Sequence, residues 1–251
     1  MARGDRFIFG IHPVLEAVQA GREMEKVWVR RGGGSEQLKK IVSLLTGRGI
    51  PVQQVPVEKL NRLTSGNHQG VVALLSAISY SNIETLLPSI YESGEDPMII
   101  LLDGVSDVRN FGAISRSAEC AGAHAVVVTV TGSAAVNADA IRTSAGALNR
   151  IPVCRVRDLK GTVRFLRDSG LRITAASEKA STMLFDADLS GPAAIIMGSE
   201  EKGISPALLK EADQQVSIPM TGSIASLNVS VAAGIILFEA VRQRLGQGGR
   251  Y

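Results

Sequence analysis

Apolar residues in the first third of the chain follow two spacings in turn. Val14, Leu15 and Val18 recur as one face of a helix, and helical spacing returns between residues 36 and 45. The stretches 26–30 and 70–75 have the composition and spacing of strands. This order of helices and strands predicts a small α/β domain.

From residue 98 onward the apolar positions form short continuous runs. A strand that is buried on both faces of a sheet produces such runs, because helices cover each face. Helical patterns lie between most of the runs, which together predict a largely parallel sheet with helices on both sides. The runs span residues 98–102, 125–130, 151–156, 171–176, 193–197 and 216–219.

The stretch between these two regions has the weakest pattern. Residues 80–97 contain Pro88, Gly94 and Pro97, several polar residues and one short apolar patch. This composition is typical of a connection, so we predict a linker with at most one helical turn. The predicted organisation is an N-terminal domain over 1–77, a linker over 78–97 and a C-terminal domain over 98–251.

Composition narrows the protein classes that these elements allow. The chain has 251 residues, of which 45% are hydrophobic and 20% are charged, an ordinary globular balance. Two cysteines, Cys120 and Cys154, are too few for a disulfide framework or a metal cage. No apolar run approaches the roughly 18–20 residues that span a bilayer, and the start MARGDRFIFG lacks a signal-peptide core. We therefore expect a reduced, cytoplasmic protein with no membrane partner.

Charge is divided unevenly along the chain. Residues 1–77 carry 11 Lys and Arg against 6 Asp and Glu, a net +5, whereas residues 78–251 carry 16 against 18, a net −2. A basic N-terminal domain favours a polyanion such as a nucleic acid as its partner. A solvated basic surface without a partner gives the same counts, so charge alone leaves both interpretations open.

Familiar catalytic signatures are missing from the sequence. It contains no Gly-rich phosphate-binding loop that ends in Gly-Lys-Ser or Gly-Lys-Thr, no G-x-G-x-x-G after the first strand of the large domain, and no G-x-S-x-G elbow. His12, His68 and His124 are scattered and lack the spacing of metal ligands, so we expect no metal.

Three segments at the carboxyl ends of predicted strands carry the candidate chemistry, because ligands bind at that edge of open α/β sheets. In the first, Asn110 precedes a helix that we expect to begin near Phe111, and Arg116 lies inside it. Asn110 as an N-cap and Arg116 in an (i, i+3) pair with Glu119 are the structural alternatives. The functional alternative gives Arg116 a grip on a phosphate or hydroxyl oxygen.

The second segment runs from a buried strand through Gly198, Glu200, Glu201 and Gly203. Glycines at these positions permit unusual backbone angles and the close approach of a ligand. The two glutamates equally suit the start of the helix that follows, where acidic residues are favourable.

The third segment passes from a strand through Gly222 into a nearly all-apolar helix, which must be buried. Ser226, Leu227 and Asn228 form its first turn. Their hydroxyl, amide and backbone N–H groups either face a pocket or only cap the helix.

Together these segments resemble the three motifs of the SpoU branch of the SPOUT RNA methyltransferases. The motifs are N-x-G-x-x-x-R at 110–116, G-x-E-x-x-G at 198–203 and I-P-M-x-G-x-x-x-S-L-N-V-S at 218–230. The sequences FGIHPVLEAV (9–18) and NHQGVVA (67–73) resemble that family's substrate-binding domain, so the resemblance covers nearly the whole chain. Within the family, the chain resembles bacterial enzymes that methylate a guanosine 2′-hydroxyl of 23S ribosomal RNA.

The resemblance implies a fold that periodicity does not. It predicts a C-terminal α/β domain with a largely parallel sheet and a deep trefoil knot, and a small N-terminal α/β domain like an RNA-binding ribosomal protein. Knots are too rare to be proposed from periodicity. The resemblance also implies that the knot binds S-adenosylmethionine, released as S-adenosylhomocysteine, in a homodimer with the site near the interface.

The motif match assigns roles to five catalytic residues. Arg116 lies nearest the reacting oxygen; a free guanidinium has a pKa above about 12, so we favour a cation that clamps a phosphate and lowers the hydroxyl pKa over a base. Asn110 orients the arginine or the ribose, and Glu200 fixes this group. Ser226 and Asn228 complete it, and Asn228 also caps the last helix.

The remaining site assignments are cofactor and RNA contacts. Cofactor contacts are expected mostly from backbone groups of small or apolar residues at strand ends. These residues are Ala176, Ser177, Gly198, Ile218, Met220 and Leu227. For RNA we name Arg30, Arg31, His68 and Gln69 as candidate contacts.

The predicted function is S-adenosylmethionine-dependent methylation of a ribose 2′-hydroxyl in RNA, with a guanosine of 23S ribosomal RNA as the expected target. One alternative is a tRNA guanosine 2′-O-methyltransferase. The other is a catalytically silent RNA-binding or ribosome-assembly protein of the same fold.

Overall fold

A computed structural model describes residues 7–32, 35–224 and 226–246. The chain divides into two units, residues 1–79 and 80–251. Each unit has its own hydrophobic core, in which the apolar side chains of that unit pack against one another.

The N-terminal unit contains a four-stranded mixed sheet in the order β1-β4-β2-β3. Only β2 and β3 pair in parallel; the other pairs are antiparallel. The elements are β1 (Phe7–Phe9), α1 (Ile11–Gln19), β2 (Met24–Arg30), α2 (Glu36–Gly47), β3 (Val52–Val55), α3 (Val57–Leu63) and β4 (Val71–Leu75).

Both faces of this small sheet are covered, as the alternation along β2 requires. Val27 and Val29 join a core formed with α1 and α2. Trp28 points to the other face, where it packs with Leu60 of α3 and Val72 of β4. In this small α/β unit, successive side chains of β2 therefore point alternately to the helices on one face of the sheet and to the helix on the other.

The C-terminal unit contains a seven-stranded sheet in which every pairing is parallel. Helices flank it, and two 3₁₀ turns lie at Ala147–Asn149 and Leu184–Asp186. The elements are α4 (Ile83–Glu92), β5 (Met98–Asp103), α5 (Val108–Cys120), β6 (Ala125–Thr129), α6 (Ala138–Thr143), β7 (Val153–Val156), α7 (Leu159–Asp168), β8 (Arg172–Ala176), β9 (Thr182–Met183), β10 (Ala193–Gly198), α8 (Pro206–Leu209), β11 (Gln214–Ser217) and α9 (Val229–Gly246).

The strand order of this sheet is β7-β6-β5-β10-β8-β11-β9. Each of the six apolar runs contains or overlaps one of its strands, and β5 and β10 are buried almost throughout. The predicted α/β class with a largely parallel sheet is thus confirmed. Because β10 lies between β5 and β8, the first and second motif segments leave the sheet from neighbouring strands.

The predicted linker is wrong over much of its length. Residues 83–92 form α4, a helix of 10 residues capped by Asn82, whose Oδ1 accepts a hydrogen bond from the Glu84 N–H at 2.7 Å. Ile83, Leu87 and Ile90 are buried in the core of the C-terminal unit. Their i, i+4, i+7 spacing outweighs Pro88, which the helix accommodates.

The helix start expected near Phe111 is also wrong. α5 begins at Val108, because the Asp107 carboxylate caps it by accepting hydrogen bonds from the backbone N–H groups of Arg109 (2.8 Å) and Asn110 (3.0 Å). These hydrogen bonds, that from Asn110 above all, hold the pKa of Asp107 below its usual value. Asn110 therefore does not cap the helix, and its side chain is available elsewhere.

Candidate functional site

A cleft of about 520 Å³ opens at the carboxyl edge of the parallel sheet. It lies where β8, β10 and β11 end and where α9 begins. The wall contains Ser177 and Lys179 after β8, residues 198–203 after β10, and residues 226–229 at the start of α9. Parallel strands bring these three distant stretches of sequence to one place.

Gly198 forms the tightest part of the wall. The glycine is buried, and a Cβ built on it would lie 2.1 Å from the carbonyl carbon of Gly203. The loop closes on itself because Ser199 and Gly203 exchange backbone hydrogen bonds of 2.8 and 3.2 Å. Gly203 has φ +65°, a conformation that glycine adopts without strain.

A second contact ties this loop to the sheet. The Asp103 carboxylate at the end of β5 accepts a 2.7 Å hydrogen bond from the Ser205 N–H. Gly198 lies beside Asp103 in the register of β10 and β5. The loop that carries Glu200 is therefore fixed at both ends.

Asn228 connects all three motif segments. Its Nδ2 donates a hydrogen bond to Asn110 Oδ1 at 3.0 Å and another to Glu200 Oε1. Its Oδ1 accepts from the Ser230 N–H at 2.9 Å, which caps α9 as expected. The amide thus uses its oxygen for the helix and its nitrogen to join Asn110 to Glu200.

Arg116 lies elsewhere in the same chain. Its side chain is exposed and lines a separate hollow of about 510 Å³ with residues 144–147, Asn149 and Arg150. Glu119, its expected partner, pairs instead with Arg150 at 3.8 Å. Within the described ranges Arg116 neither lines the cleft nor has a hydrogen-bond or ion-pair partner.

The other residues named from sequence divide by position. Ser226 and Glu200 line the cleft, as do all six residues named for the cofactor. Glu201, which the sequence also suited to a helix start, lines the cleft as well. The sequence patterns did not indicate Lys179, Lys202 and Ala232, which line it too. Glu201 and Lys202 lie inside the second motif, so their place between its glycines was the available signal.

The four residues named for RNA lie in the N-terminal unit. Arg30 ends β2, and Arg31 follows it; both side chains are exposed. His68 Nε2 lies 2.8 Å from Asn61 Oδ1, and Gln69, at φ +49°, accepts a 2.9 Å hydrogen bond from the Ile11 N–H. His68 and Gln69 therefore help to shape the loop before β4, and their contact with RNA stays a prediction.

Metal-binding and membrane-spanning features are both missing from the described residues. No group of three or more His, Cys, Asp or Glu side chains there is arranged to hold a metal ion. None of the helices in those ranges is both long and apolar enough to cross a membrane.

Comparison with known protein families identifies two families that this chain matches. Residues 97–238 match the SpoU rRNA methylase family, and residues 7–81 match the RNA 2′-O ribose methyltransferase substrate-binding family. The chain belongs to the SpoU rRNA methylase family. The resemblance predicted from the three motifs is confirmed, as is the prediction of an S-adenosylmethionine-dependent RNA 2′-O-methyltransferase.

Individual members of the SpoU family match over nearly the full length. The 23S rRNA (guanosine-2′-O-)-methyltransferase RlmB of Vibrio parahaemolyticus is 38% identical, over 96% of this chain and 98% of its own. The putative TrmH family tRNA/rRNA methyltransferase YacO of Bacillus subtilis is 31% identical, over 97% and 98%. The crystal structure of the SpoU methyltransferase AviRb from Streptomyces viridochromogenes with AdoMet is 27% identical, has a TM-score of 0.61, and is matched over 96% of this chain and 90% of that one.

Proposed function

We propose that this SpoU family member methylates the 2′-hydroxyl of a guanosine in 23S ribosomal RNA, using S-adenosylmethionine bound in the cleft. The observation that carries the proposal is the Asn228 side chain, which joins the three family motifs at one wall of that cleft. Similarity to RlmB over 96% of the chain supports the choice of RNA.

The cleft suits the proposed cofactor in size and chemistry. Its volume of about 520 Å³ falls within the roughly 300–1,000 Å³ that is typical of small-molecule sites. Gly198 lets the loop 199–203 pack against the end of β10, which shapes this wall of the cleft, and Leu227 and Ile218 supply main-chain groups and apolar surface. Three glutamates and two lysines line the cleft, a net charge of −1 that favours a cationic ligand such as a sulfonium; these residues are Glu178, Glu200, Glu201, Lys179 and Lys202.

The bound cofactor supplies an electrophilic methyl group on a positively charged sulfur. The protein must hold a ribose hydroxyl in line with that methyl group, and alignment of this kind can contribute about 7–11 kcal/mol. Asn110, held by Asn228, orients the ribose or the arginine. Arg116 would clamp a neighbouring phosphate and lower the hydroxyl pKa, which would ease loss of the proton to solvent water as the methyl group passes from sulfur to the ribose oxygen and neutral S-adenosylhomocysteine is left.

We also propose a homodimer in which Arg116 of one protomer acts at the cleft of its partner. Two features support this assignment. Arg116 does not line the cleft of its own chain. α9, which begins at the cleft and was expected to be buried, instead exposes Val231 and Phe238, each 50% accessible, and the preceding Ile224 is 73% accessible. Exposed apolar side chains of this kind are typical of surfaces that bury themselves against a second protein.

The proposed fold details follow the family. We infer that the C-terminal unit is threaded as a trefoil knot, an inference supported by its match to the SpoU methylase family. We infer that the N-terminal unit is a ribosomal-protein-like RNA binder, supported by its match to the substrate-binding family and its net positive charge. Action on ribosomal RNA implies a cytoplasmic location.

A tRNA substrate is the second candidate, because the matching YacO is named as a tRNA/rRNA methyltransferase. The test incubates the purified protein with methyl-labelled S-adenosylmethionine and unmodified 23S ribosomal RNA or tRNA transcripts, and then maps the modified ribose. Methylation of one guanosine in 23S ribosomal RNA is expected. Label on tRNA alone would favour the second candidate, and RNA binding without transfer would favour the catalytically silent protein.

A further inference from the structure

Four arginines line two hollows between α5 and the chain segment 139–150. Arg109 and Arg142 line one hollow, of about 480 Å³. Arg116 and Arg150 line the other, of about 510 Å³. Arg109 and Arg116 are seven residues apart, so they lie on the same face of α5 at a separation of about 10 Å along the axis. We call these four residues the arginine strip.

The strip has a fixed floor. A Cβ on Gly112 would lie 2.8 Å from the Ala140 carbonyl oxygen and 2.9 Å from Thr143 Cβ, so glycine allows α5 and α6 to pack closely. Ala145 and Gly146, both at positive φ, then turn the chain toward Arg150. The backbone therefore holds α5 and the segment 139–150 at a set distance.

The guanidinium groups of the strip are accessible. The side chains of Arg109, Arg142 and Arg150 are 82%, 79% and 79% exposed. Each is near a single carboxylate, with Asp107 at 3.7 Å and Glu119 at 3.8 Å from Arg109 and Arg150. Exposed pairs of this kind contribute little to stability and exchange readily for a stronger anion. Because Arg116 has no partner in the described part of the chain, the strip retains net positive charge.

One end of the arginine strip is adjacent in sequence to a residue of the candidate site. Arg109 directly precedes Asn110, whose side chain is hydrogen-bonded to Asn228 at the cleft. The strip therefore begins one residue before Asn110 in the sequence and extends along α5 to Arg116, the residue proposed to act at the partner's cleft. A length of about 10 Å corresponds to roughly three nucleotides at about 3.4 Å per stacked nucleotide of one strand. The planar fork of arginine matches phosphate oxygens.

We propose that the arginine strip binds the phosphates of the RNA strand on one side of the target ribose. Arg109, Arg142 and Arg150 contact the backbone without reading sequence, and Arg116 lies among them. This inference rests on the proposed function. It assigns the C-terminal unit its own RNA contact, in addition to the one expected from the N-terminal unit.

The test replaces three strip residues and leaves Arg116 intact, in the variant R109Q/R142Q/R150Q. Binding of an unmodified 23S ribosomal RNA transcript is measured from 50 to 200 mM salt. We expect at least about 10-fold weaker binding at low salt, and a slope of log K against log salt that falls by about 2, since each lost single-strand phosphate contact accounts for about 0.7. Methyl transfer at saturating RNA and cofactor affinity should be retained.

Arg172→Gln is the matched control, because Arg172 is also an exposed arginine near one carboxylate, Asp188, but lies at the amino end of β8. It should leave RNA affinity unchanged, whereas Arg150→Gln alone lowers the slope. An unchanged slope in the triple variant would overturn the proposal, as would loss of dimerisation in place of RNA affinity. Failure of the proposed function is distinguishable, since the unmutated protein would then not methylate RNA at all.

Discussion

Two polar clusters in the C-terminal unit are each built around one side chain, and they differ in what surrounds that side chain. Glu211, 8% exposed, is contacted by Arg164 at 2.7 Å, Lys160 at 3.2 Å and Arg167 at 3.4 Å. Asn228 is exposed at the cleft and joins Asn110 and Glu200. The first cluster neutralises its own carboxylate; the second leaves the Glu200 carboxylate beside open space.

The difference separates a cluster that stabilises the fold from one that offers groups to a ligand. The Arg164 hydrogen bond and the nearby lysine hold the pKa of Glu211 down at about 2. That carboxylate is already paired with lysine and arginine side chains of α7, and these ion pairs connect α7 to the residue that follows α8. Among the described residues, no arginine or lysine of the same chain is bonded to the Asn228 cluster. The Glu200 carboxylate therefore keeps its negative charge for interaction with a cationic ligand.

The largest effect is expected from Arg116→Ala. Loss of a positioned cation from a reacting centre typically costs about 10²–10³-fold in rate, so methyl transfer should fall by about that factor or more. Cofactor affinity, measured by calorimetric titration, should stay within about twofold. Arg116→Lys keeps the charge but loses the planar fork; if either variant retained full activity, the clamp role of Arg116 would be excluded.

Asn228→Ala should lower both the rate of methyl transfer and the stability of the fold, for two different reasons. It removes the donor to Asn110 and Glu200, so we expect roughly 10²-fold slower transfer. It also removes the α9 cap, at a cost of about 1 kcal/mol in unfolding free energy. Ser230→Ala is the control, since it removes only the hydroxyl bonded to Asn228 Oδ1 and keeps both the cluster and the backbone cap. An equal activity loss in this variant would contradict the role given to the cluster.

Gly198→Ala should act on the cofactor. The added Cβ would collide with the backbone at Gly203, so the loop 199–203 must shift and cofactor affinity should fall at least about tenfold. At Gly191 an added Cβ meets nothing within 4 Å, so Gly191→Ala should bind the cofactor normally. The comparison is made by calorimetry, and unaltered affinity in Gly198→Ala would remove the close-approach argument.

Glu211→Gln should have the smallest effect on chemistry and a clear effect on stability. The variant should unfold at lower temperature at pH 7 and transfer methyl groups at the normal rate while folded. Because the folded-state pKa is about 2, against an ordinary value of 4.5, the stabilisation by Glu211 is fully present above pH 4.5 and is lost as the pH falls toward 2. Unfolding midpoints of the two proteins should therefore converge in acid.

Glu36→Gln provides the matched comparison, since Glu36 is 84% exposed and pairs only with Lys40 at 3.6 Å. Its unfolding midpoint should stay close to that of the unmutated protein. A midpoint for Glu211→Gln that is equally unaffected, at every pH, would contradict a stabilising role for the Glu211 cluster.

Much of the fold could be predicted from sequence because burial on both faces leaves a direct trace. The runs at 98–102 and 193–197 became β5 and β10 with boundaries shifted by one residue. α4 was missed because Pro88 and its polar neighbours outweighed three apolar positions at helical spacing. The order of the strands leaves no local trace, since the place of β10 between β5 and β8 is decided by tertiary packing.

The candidate site likewise has a part that could be predicted from sequence and a part that could not. Motif residues such as Gly198 and Asn228 could be named in advance, and the sheet topology explains why they meet. The hollow that contains Arg116 could not be predicted, because it depends on which distant segment, residues 144–150, packs beside α5. Six positions along a helix correspond to about 600°, so the two side chains leave α5 in different directions.

A crystal structure of the protein soaked with S-adenosylmethionine would show directly whether the cleft is the cofactor site. We expect the cofactor in the cleft formed by residues 176–179, 198–203 and 226–229, with its methyl group facing the Asn110–Asn228–Glu200 cluster. Cofactor bound at any other surface, or facing away from this cluster, would contradict the assignment.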